Sequence, residues 1–259
     1  MIKSETRERV ARIRFDRLDK KNAITAQMYA QLGSALAAAD ADPQVRAVLL
    51  SGTAECFTAG NDVADFLNRV IPAEAGTRQP GSSPARALFD TLPNMKKPVV
   101  AAVGGPAIGI GTTLLLHCDL VYAAPNARFQ LPFVPLGIVP EFGSTFLLPR
   151  LAGYQRAAEL LLLGQPFSAQ KAHEAGLVSE VVPEQELFNR AEAAVLRLAS
   201  LPPESVRLTK RLLKARYAEA LASTIDEETR LFTERLSSPE AKEAMSAFLE
   251  KRKPDFSRF

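Results

Sequence analysis

Short apolar runs alternate with helix-length segments over roughly the first 182 residues, and this alternation restricts the fold more than any other feature of the sequence. Residues 10–15, 45–51 and 98–103 have the length and composition of strands and end at turn residues. Between the first two runs, Thr25 is well placed to cap a helix that extends to about Ala39. Strands that alternate with helices predict an α/β fold.

The pattern changes in the last third of the chain. From Gly153 onward the apolar periodicity is mostly helical, and the Pro202-Pro203 pair separates two long helices. We therefore expect a core at residues 1–195, which would hold the functional site, and a helical C-terminal region at residues 196–259.

Composition argues against several classes of partner. The 32 Lys and Arg residues nearly balance the 29 Asp and Glu residues, giving a net charge of +3, and no basic stripe indicates nucleic-acid binding. No apolar run is long enough to cross a membrane, and the N-terminus lacks the apolar segment of a secretory signal. Cys56 and Cys118 form no disulfide framework or metal-site spacing. We expect a cytoplasmic protein with no metal.

Two loops place glycines between a strand and a helix: residues 59–62 (AGND) and 107–111 (AIGIG). Loops of this kind expose backbone N–H groups at a helix N-terminus, where an anion is favoured. If the loops face each other, they offer two N–H donors to a single oxyanion. Glycines here are also ordinary turn residues, and spacing alone does not separate the two interpretations. A dinucleotide fingerprint is excluded because Leu114 stands where its third glycine would fall.

Several stretches, taken in order, resemble the crotonase (enoyl-CoA hydratase/isomerase) superfamily. They are FTAGND at 57–62, KKPVVAAVGGPAIGIGTTLLLHCDLVYA at 96–123, ARFQLPFVPLGIVPEFGSTFLLPRLAG at 127–153, AHEAGLVSEVVP at 172–183 and FLEKRKPDF at 248–256. The resemblance implies a crotonase fold, a spiral of ββα units with a helical C-terminal trimerisation region. It also implies a homotrimer or a hexamer built as a dimer of trimers. The expected ligand is a fatty acyl-CoA thioester, as in β-oxidation, with coenzyme A as part of the substrate and no separate cofactor.

The resemblance also assigns roles to residues in both loops. The oxyanion hole would consist of the backbone N–H groups of Asn61 and Ile110, which would hold the thioester oxygen as negative charge develops there. The remaining substrate- and CoA-binding candidates are Lys20, Lys21, Ala59, Gly60, Asp62, Gly109, Phe133 and Lys251. Each lysine is also an ordinary surface residue, and Asp62 is also placed to cap the following helix. Candidates for lining an acyl tunnel are Phe66, Leu67, Phe89 and Leu92.

The acid–base residues distinguish between reactions. Enoyl-CoA hydratases carry two glutamates, and the matching positions here hold Thr113 and Phe133. Glu141 instead resembles the catalytic glutamate of the peroxisomal-type Δ3,Δ2-enoyl-CoA isomerases. One carboxyl group suits an isomerase because it takes a proton from C2 and returns it at C4. The sequence therefore predicts an isomerase with Glu141 as its catalytic residue.

Other interpretations of this region stay open. The chain would be a hydratase, or another crotonase-fold acyl-CoA lyase, if Glu141 works with water or with Asp65. It would be an inactive acyl-CoA-binding paralogue if Glu141 only complements the dipole of the following helix. The apolar neighbours Pro140 and Phe142 favour a raised pKa for Glu141, whereas a helix N-terminus would lower it.

Overall fold

Two sheets form the framework of the computed structural model, which describes residues 1–62, 64–65 and 85–259. The larger sheet has the order β1-β2-β3-β4-β6-β9 and the smaller one the order β5-β7-β8. Only the β1–β2 and β7–β8 pairs are antiparallel among the described pairs. The strands are β1 Ile2–Arg7, β2 Val10–Phe15, β3 Ala47–Ser51, β4 Val99–Val103, β5 Pro106–Ile108, β6 Leu120–Ala123, β7 Arg128–Gln130, β8 Phe167–Ser168 and β9 Glu180–Val181.

Helices follow the strands and make up most of the chain after β9. They are α1 Ala26–Ala41, α2 Arg86–Thr91, α3 Ile110–Thr113, α4 Ser144–Ala152, α5 Tyr154–Leu163, α6 Ala169–Glu174, α7 Leu187–Ser200, α8 Pro203–Ala215, α9 Ala218–Arg235 and α10 Pro239–Leu249. Short 3-10 turns lie at Leu18–Lys20, Leu92–Asn94, Leu114–His117, Val134–Leu136 and Glu184–Glu186. Thr25 caps α1 as predicted, because its side-chain oxygen accepts a hydrogen bond from the backbone N–H of Met28.

The central strands of the larger sheet are buried on both faces. Within β3, Val48 and Leu50 belong to the main apolar core, whereas Leu49 on the opposite face joins a second cluster. Helix α7 covers that second face through residues such as Ala191 and Val195. Burial on both faces explains why the central strands read as continuous apolar runs in the sequence.

The N-terminal strand β1 was missed by the sequence interpretation, which placed the first strand at residues 10–15. Strand β1 pairs with β2 through a two-residue hairpin at Glu8 and Arg9, both with positive φ. Most of β1 is exposed, so it carries little of the apolar alternation that identifies a strand. Its contribution is backbone pairing to the edge of the sheet.

The predicted boundary between the core and the helical C-terminal region lies within a helix. The division between residues 195 and 196 falls inside α7, which packs on the sheet through Val195 and Ala199. The next helix along the chain, α8, contributes no residue to the apolar cluster on this face of the sheet. The amphipathic pattern at the end of the chain predicts a helix at residues 237–253, and the observed helix is shorter, Pro239–Leu249. The division into two regions stays a prediction.

Some sequence expectations concern residues outside the described ranges. Residues 71–84, where Pro, Gly and Ser without apolar periodicity predict a surface loop, belong to this group. The tunnel candidates Phe66 and Leu67 also belong to it. Across residues 1–62, 64–65 and 85–259, no helix combines the length and apolarity needed to cross a membrane.

Candidate active site

The two glycine loops lie directly against each other. Thr58 pairs with strand β5 as a parallel bridge: its N–H bonds to Pro106 O (2.9 Å) and its carbonyl accepts the Ile108 N–H (3.1 Å). Gly60 then approaches so closely that a Cβ there would lie 2.7 Å from the Ile108 carbonyl oxygen. Its φ of +86° is also one that other residues rarely adopt. Glycine is required at this position for both reasons.

Two backbone N–H groups at this junction point away from the hydrogen-bonding network. Ile24 bonds to both neighbours of Asn61, donating to Gly60 O and accepting from Asp62 N–H, so the N–H of Asn61 faces the other way. Ile110 is the first residue of α3, where an N–H has no partner within the helix. Among the hydrogen bonds of the described residues, neither N–H is a donor. Their use as an oxyanion hole stays a prediction.

Side chains anchor the first loop to α1 and the early turn. The Tyr29 hydroxyl donates to Asn61 Oδ1 at 2.7 Å. Asp62 accepts from the Asp65 N–H at 3.0 Å and pairs with Arg17 Nη1 at 2.6 Å. The bond from the Asp65 N–H and then the Arg17 guanidinium lower the pKa of Asp62. Asp62 therefore caps the helical turn after the loop, which is the second of the two roles considered for it.

The other binding candidates are spread over the structure. Lys20 and Lys21 are exposed in the turn beside the first loop, where Lys21 O accepts the Ala59 N–H at 2.9 Å. Phe133 is buried just before the 3-10 turn at Val134–Leu136. Lys251 is exposed beyond α10, and no hydrogen bond or ion pair of the described residues links it to either glycine loop.

Glu141 is a buried carboxyl group between the Val134–Leu136 turn and α4. Glu141 is only 7% exposed, and its Oε1 accepts a hydrogen bond from the Thr113 hydroxyl at 3.1 Å. Burial raises the pKa of Glu141 to about 8, with a further increase from the negative charge of Glu228, while the Thr113 hydroxyl opposes the shift. A carboxyl group with this pKa exchanges protons near neutral pH, as a general acid–base group must.

An aromatic layer holds the turn that carries Glu141. Phe142 has a φ of +60°, and its ring stacks on Phe89 with centroids 4.1 Å apart. His117 Nε2 donates to the Phe142 carbonyl at 2.8 Å, and burial lowers the pKa of His117 to about 3. His117 is therefore a neutral donor at physiological pH and fixes the backbone beside Glu141.

The sequence interpretation did not identify Glu228. Its buried carboxylate accepts the backbone N–H groups of Gly143 and Thr145, and also the Thr145 hydroxyl. A signal was present in the sequence, because Glu228 lies at helical spacing from Leu221 and Ile225 on the buried face of α9. A carboxylate on an apolar helix face indicates a specific buried partner.

Comparisons with known proteins identify the family of the chain. The family described as "Enoyl-CoA hydratase/isomerase" has a model that matches residues 5–258. Rat enoyl-CoA delta isomerase 2 is 37% identical over 245 residues, which are 95% of this chain and 62% of the rat protein. The chain thus spans less than two thirds of that relative's length. The 2,3-dehydroadipyl-CoA hydratase of Escherichia coli K12 is 34% identical over 249 residues, covering 96% of this chain and 95% of that protein.

The solved structures include an equally extensive match. An enoyl-CoA hydratase/isomerase from Pseudoalteromonas atlantica T6c superposes with a TM-score of 0.92 at 39% identity. The match covers 98% of this chain and 99% of that one. The predicted fold class, including the helical C-terminal region, is thereby confirmed.

Proposed function

The chain belongs to the enoyl-CoA hydratase/isomerase family and has the crotonase fold, and from that premise we propose that it is a Δ3,Δ2-enoyl-CoA isomerase. It moves the double bond of a 3-enoyl-CoA to the 2-trans position with Glu141 as its only acid–base residue. The finding that carries the proposal is the buried contact between Glu141 and Thr113. Thr113 occupies one of the two positions where hydratases carry a glutamate, and it offers a hydroxyl to Glu141 rather than a second carboxylate.

The reaction needs one group that takes and returns the same proton. The Glu141 carboxylate removes a proton from C2 of the 3-enoyl thioester, and the electron pair of that C–H bond moves onto the thioester carbonyl to give a dienolate that still contains the C3–C4 double bond. The carboxylic acid then delivers the proton to C4, which leaves the double bond at C2. Because burial raises the pKa of Glu141 to about 8, its carboxylate is a stronger base than an exposed glutamate. No net gain or loss of protons or electrons occurs.

The dienolate places its negative charge on the thioester oxygen. The proposed donors to that oxygen are the N–H groups of Asn61 and Ile110 at the junction of the two glycine loops. Loss of one such donor typically lowers a rate by about 10²–10³-fold. The exposed turn at Lys20 and Lys21, beside Ala59, supports these lysines as partners for the CoA phosphates.

Hydration of a 2-enoyl-CoA is the second candidate, because relatives at similar identity are named hydratases. Such an activity would need a second group to activate water. Asp65 was considered for this role, but its carboxylate already accepts the N–H of Ala26 at the start of α1. An acyl-CoA-binding protein without turnover is the remaining alternative.

The test uses purified protein with 3-hexenoyl-CoA and, separately, with 2-hexenoyl-CoA. We expect the 3-enoyl ester to be converted to the 2-enoyl ester, and the Glu141→Gln variant to lose at least about 10³-fold in kcat. Glu243→Gln is the matched control, since Glu243 is also 7% exposed but pairs with Arg252 and Arg258 near the C-terminus. This variant should keep its activity.

Three other results would each point elsewhere. Water addition to the 2-enoyl ester without isomerisation would favour the hydratase. Isomerisation that survives Glu141→Gln would mean that another residue is the base. Tight binding of both esters with no conversion would favour the inactive paralogue.

Assembly is part of the same proposal. Exposed leucines on α5 and α8 support a homotrimer, or a hexamer of paired trimers; they are Leu162, Leu163, Leu212 and Leu213. Light scattering coupled to gel filtration should give three or six times the chain mass of 28.1 kDa. A single chain mass at micromolar concentration would contradict it.

A further inference from the structure

Glu228, on helix α9, is hydrogen-bonded to the turn that carries Glu141. One carboxylate oxygen accepts the N–H of Gly143, and the other accepts the N–H of Thr145 at 2.9 Å and its hydroxyl. These N–H groups lie at the N-terminal end of α4, where backbone donors have no partner within the helix and carry a partial positive charge. Glu228 is 5% exposed, so water does not replace these bonds.

The turn held by Glu228 has an unfavourable backbone conformation. Phe142 and Gly143 are consecutive residues with φ of +60° and +71°, and Phe142 is not a glycine. Leu221 and Ile225 pack against Gly143, where a Cβ would lie 2.4 Å from Leu221 Cδ1. Helix α9 therefore packs against the turn through two apolar side chains and is hydrogen-bonded to it through one carboxylate.

The two buried carboxyl groups have different hydrogen-bond partners. Glu228 has donors on both oxygens, which favour its ionised form against the burial that raises its pKa. Glu141 has one hydroxyl donor, from Thr113. When two carboxyl groups lie close together, the one with more donors ionises first and its charge disfavours ionisation of the other.

We propose that Glu228 is a positioning residue for Glu141. Its ionised carboxylate holds the 141–145 turn in the conformation that orients Glu141, and its negative charge near Glu141 makes Glu141 the group that carries the transferable proton. The pair divides two tasks, since one carboxylate is fixed and the other exchanges its proton. The proposal rests on the proposed function only for the use of that proton.

No other charge facing this pair in the described part of the chain would produce the same effect. On the side of the 3-10 turn after α3, His117 is neutral. Behind it, Lys214 of α8 lies 3.4 Å from the carbonyl oxygens of Pro93 and His117. The other charged residues next to Glu228 on α9 are exposed: Asp226, Glu227 and Arg230.

The first test measures the order of ionisation without turnover. Protein labelled with 13C at the glutamate carboxyl carbon is titrated by NMR, with the Glu141 resonance identified by Glu141→Gln. The Glu228 resonance is identified by Glu228→Asp, which keeps a carboxylate. We expect Glu228 to titrate at lower pH than Glu141. A midpoint for Glu228 at or above that of Glu141 would overturn the proposal, and this result needs no variant that removes the Glu228 carboxyl group.

The second test removes the charge. In Glu228→Gln the Glu141 midpoint should fall by about 1 pH unit, because a like charge that acts on Glu141 has been removed. With a 3-enoyl-CoA, kcat should fall by about 10-fold with KM nearly unchanged, since Glu228 does not touch the substrate. The control Glu243→Gln should leave the Glu141 midpoint in place. An unchanged midpoint in Glu228→Gln, or an equal shift in the control, would refute the proposed role.

The NMR midpoints are independent of the reaction assay. If Glu228 ionises first but no isomerisation is found, the proposed function fails and the assignment of the proton to Glu141 stands. If isomerisation depends on Glu141 but the ionisation order is reversed, only the role of Glu228 fails.

Discussion

The hydroxyl of Thr113 donates a hydrogen bond to Glu141 Oε1 at 3.1 Å, and both residues are buried. The two residues come from different loops, one at the end of α3 and the other before α4. This bond favours the ionised form of Glu141, whereas burial, the largest influence on its pKa, and the charge of Glu228 oppose ionisation. Thr113 therefore increases the fraction of carboxylate present at neutral pH.

Replacing Thr113 with valine should move the pH profile of isomerisation upward. The kcat/KM of the wild type should rise with pH to a plateau, and the midpoint of the rise should lie near the Glu141 pKa of about 8. Loss of the hydrogen bond to the carboxylate should shift that midpoint up by about 1 pH unit. Steady-state rates with a 3-enoyl-CoA between pH 6 and 10 provide the measurement.

Thr112→Val is the matched control for this experiment. Thr112 is also buried on α3, but its hydroxyl bonds to the carbonyl of Ala107 rather than to Glu141. Its replacement should change the rate without moving the midpoint. If both variants shift the profile equally, the bond between Thr113 and Glu141 does not control the proton.

Replacing Glu141 with glutamine should make the protein more stable in alkaline solution. The folded state raises the pKa of Glu141 from 4.5 to about 8, so it binds the proton more tightly than the unfolded chain does. Stability of the wild type should therefore fall as pH rises through this window, by an amount on the order of 4 kcal/mol in total. Glutamine removes this loss, and urea unfolding at pH 5 and pH 8 would measure it.

Glu243→Gln should behave in the opposite way. Its bonds to Arg252 lower the pKa of Glu243 to about 2, so its contribution is present above the unfolded pKa and is lost as pH falls. The variant should be less stable than the wild type at neutral pH, and the difference should shrink on acidification. Equal pH dependence in the two glutamine variants would contradict the assignment of a raised pKa to Glu141.

Adding a methyl group at Gly60 should damage the site more than the fold. In Gly60→Ala the Cβ would meet the Ile108 carbonyl oxygen at 2.7 Å and push the two glycine loops apart. We expect a loss of about 10²-fold in kcat, comparable to the loss of one oxyanion donor. Gly153→Ala is the control, because Gly153 has a similar φ of +78° but nothing within 4 Å of a Cβ. It should cost about 1 kcal/mol of stability and leave kcat unchanged.

His117 should make the protein sensitive to acid. Its pKa is lowered from 6.5 to about 3 by burial, so below pH 6.5 the unfolded chain binds a proton that the folded state excludes. Stability should fall by about 1.4 kcal/mol per pH unit in that range. In His117→Gln the amide can still donate to the Phe142 carbonyl but does not titrate. The variant should therefore lose less stability than the wild type between pH 6.5 and 4, and parallel curves would contradict the prediction.

Much of the architecture could be predicted from local sequence. The strands β2, β3 and β4, the Thr25 cap and the alternation of strands and helices follow from apolar periodicity and turn chemistry, which act over a few residues. The two glycine loops were also readable, because glycine is needed where φ is positive, as at Gly60 and Gly109. The motifs that identified the family lie in the same stretches.

The site's electrostatics were decided by the tertiary structure alone. Sequence left open whether burial or the helix N-terminus would control Glu141, and in the folded chain burial is the largest cause of its raised pKa. The bond from Thr113 spans 28 residues of sequence, and the bonds from Gly143 and Thr145 to Glu228 span 85 and 83. No local rule predicts such pairs, because their members meet only once the chain has folded and both carboxyl groups are buried.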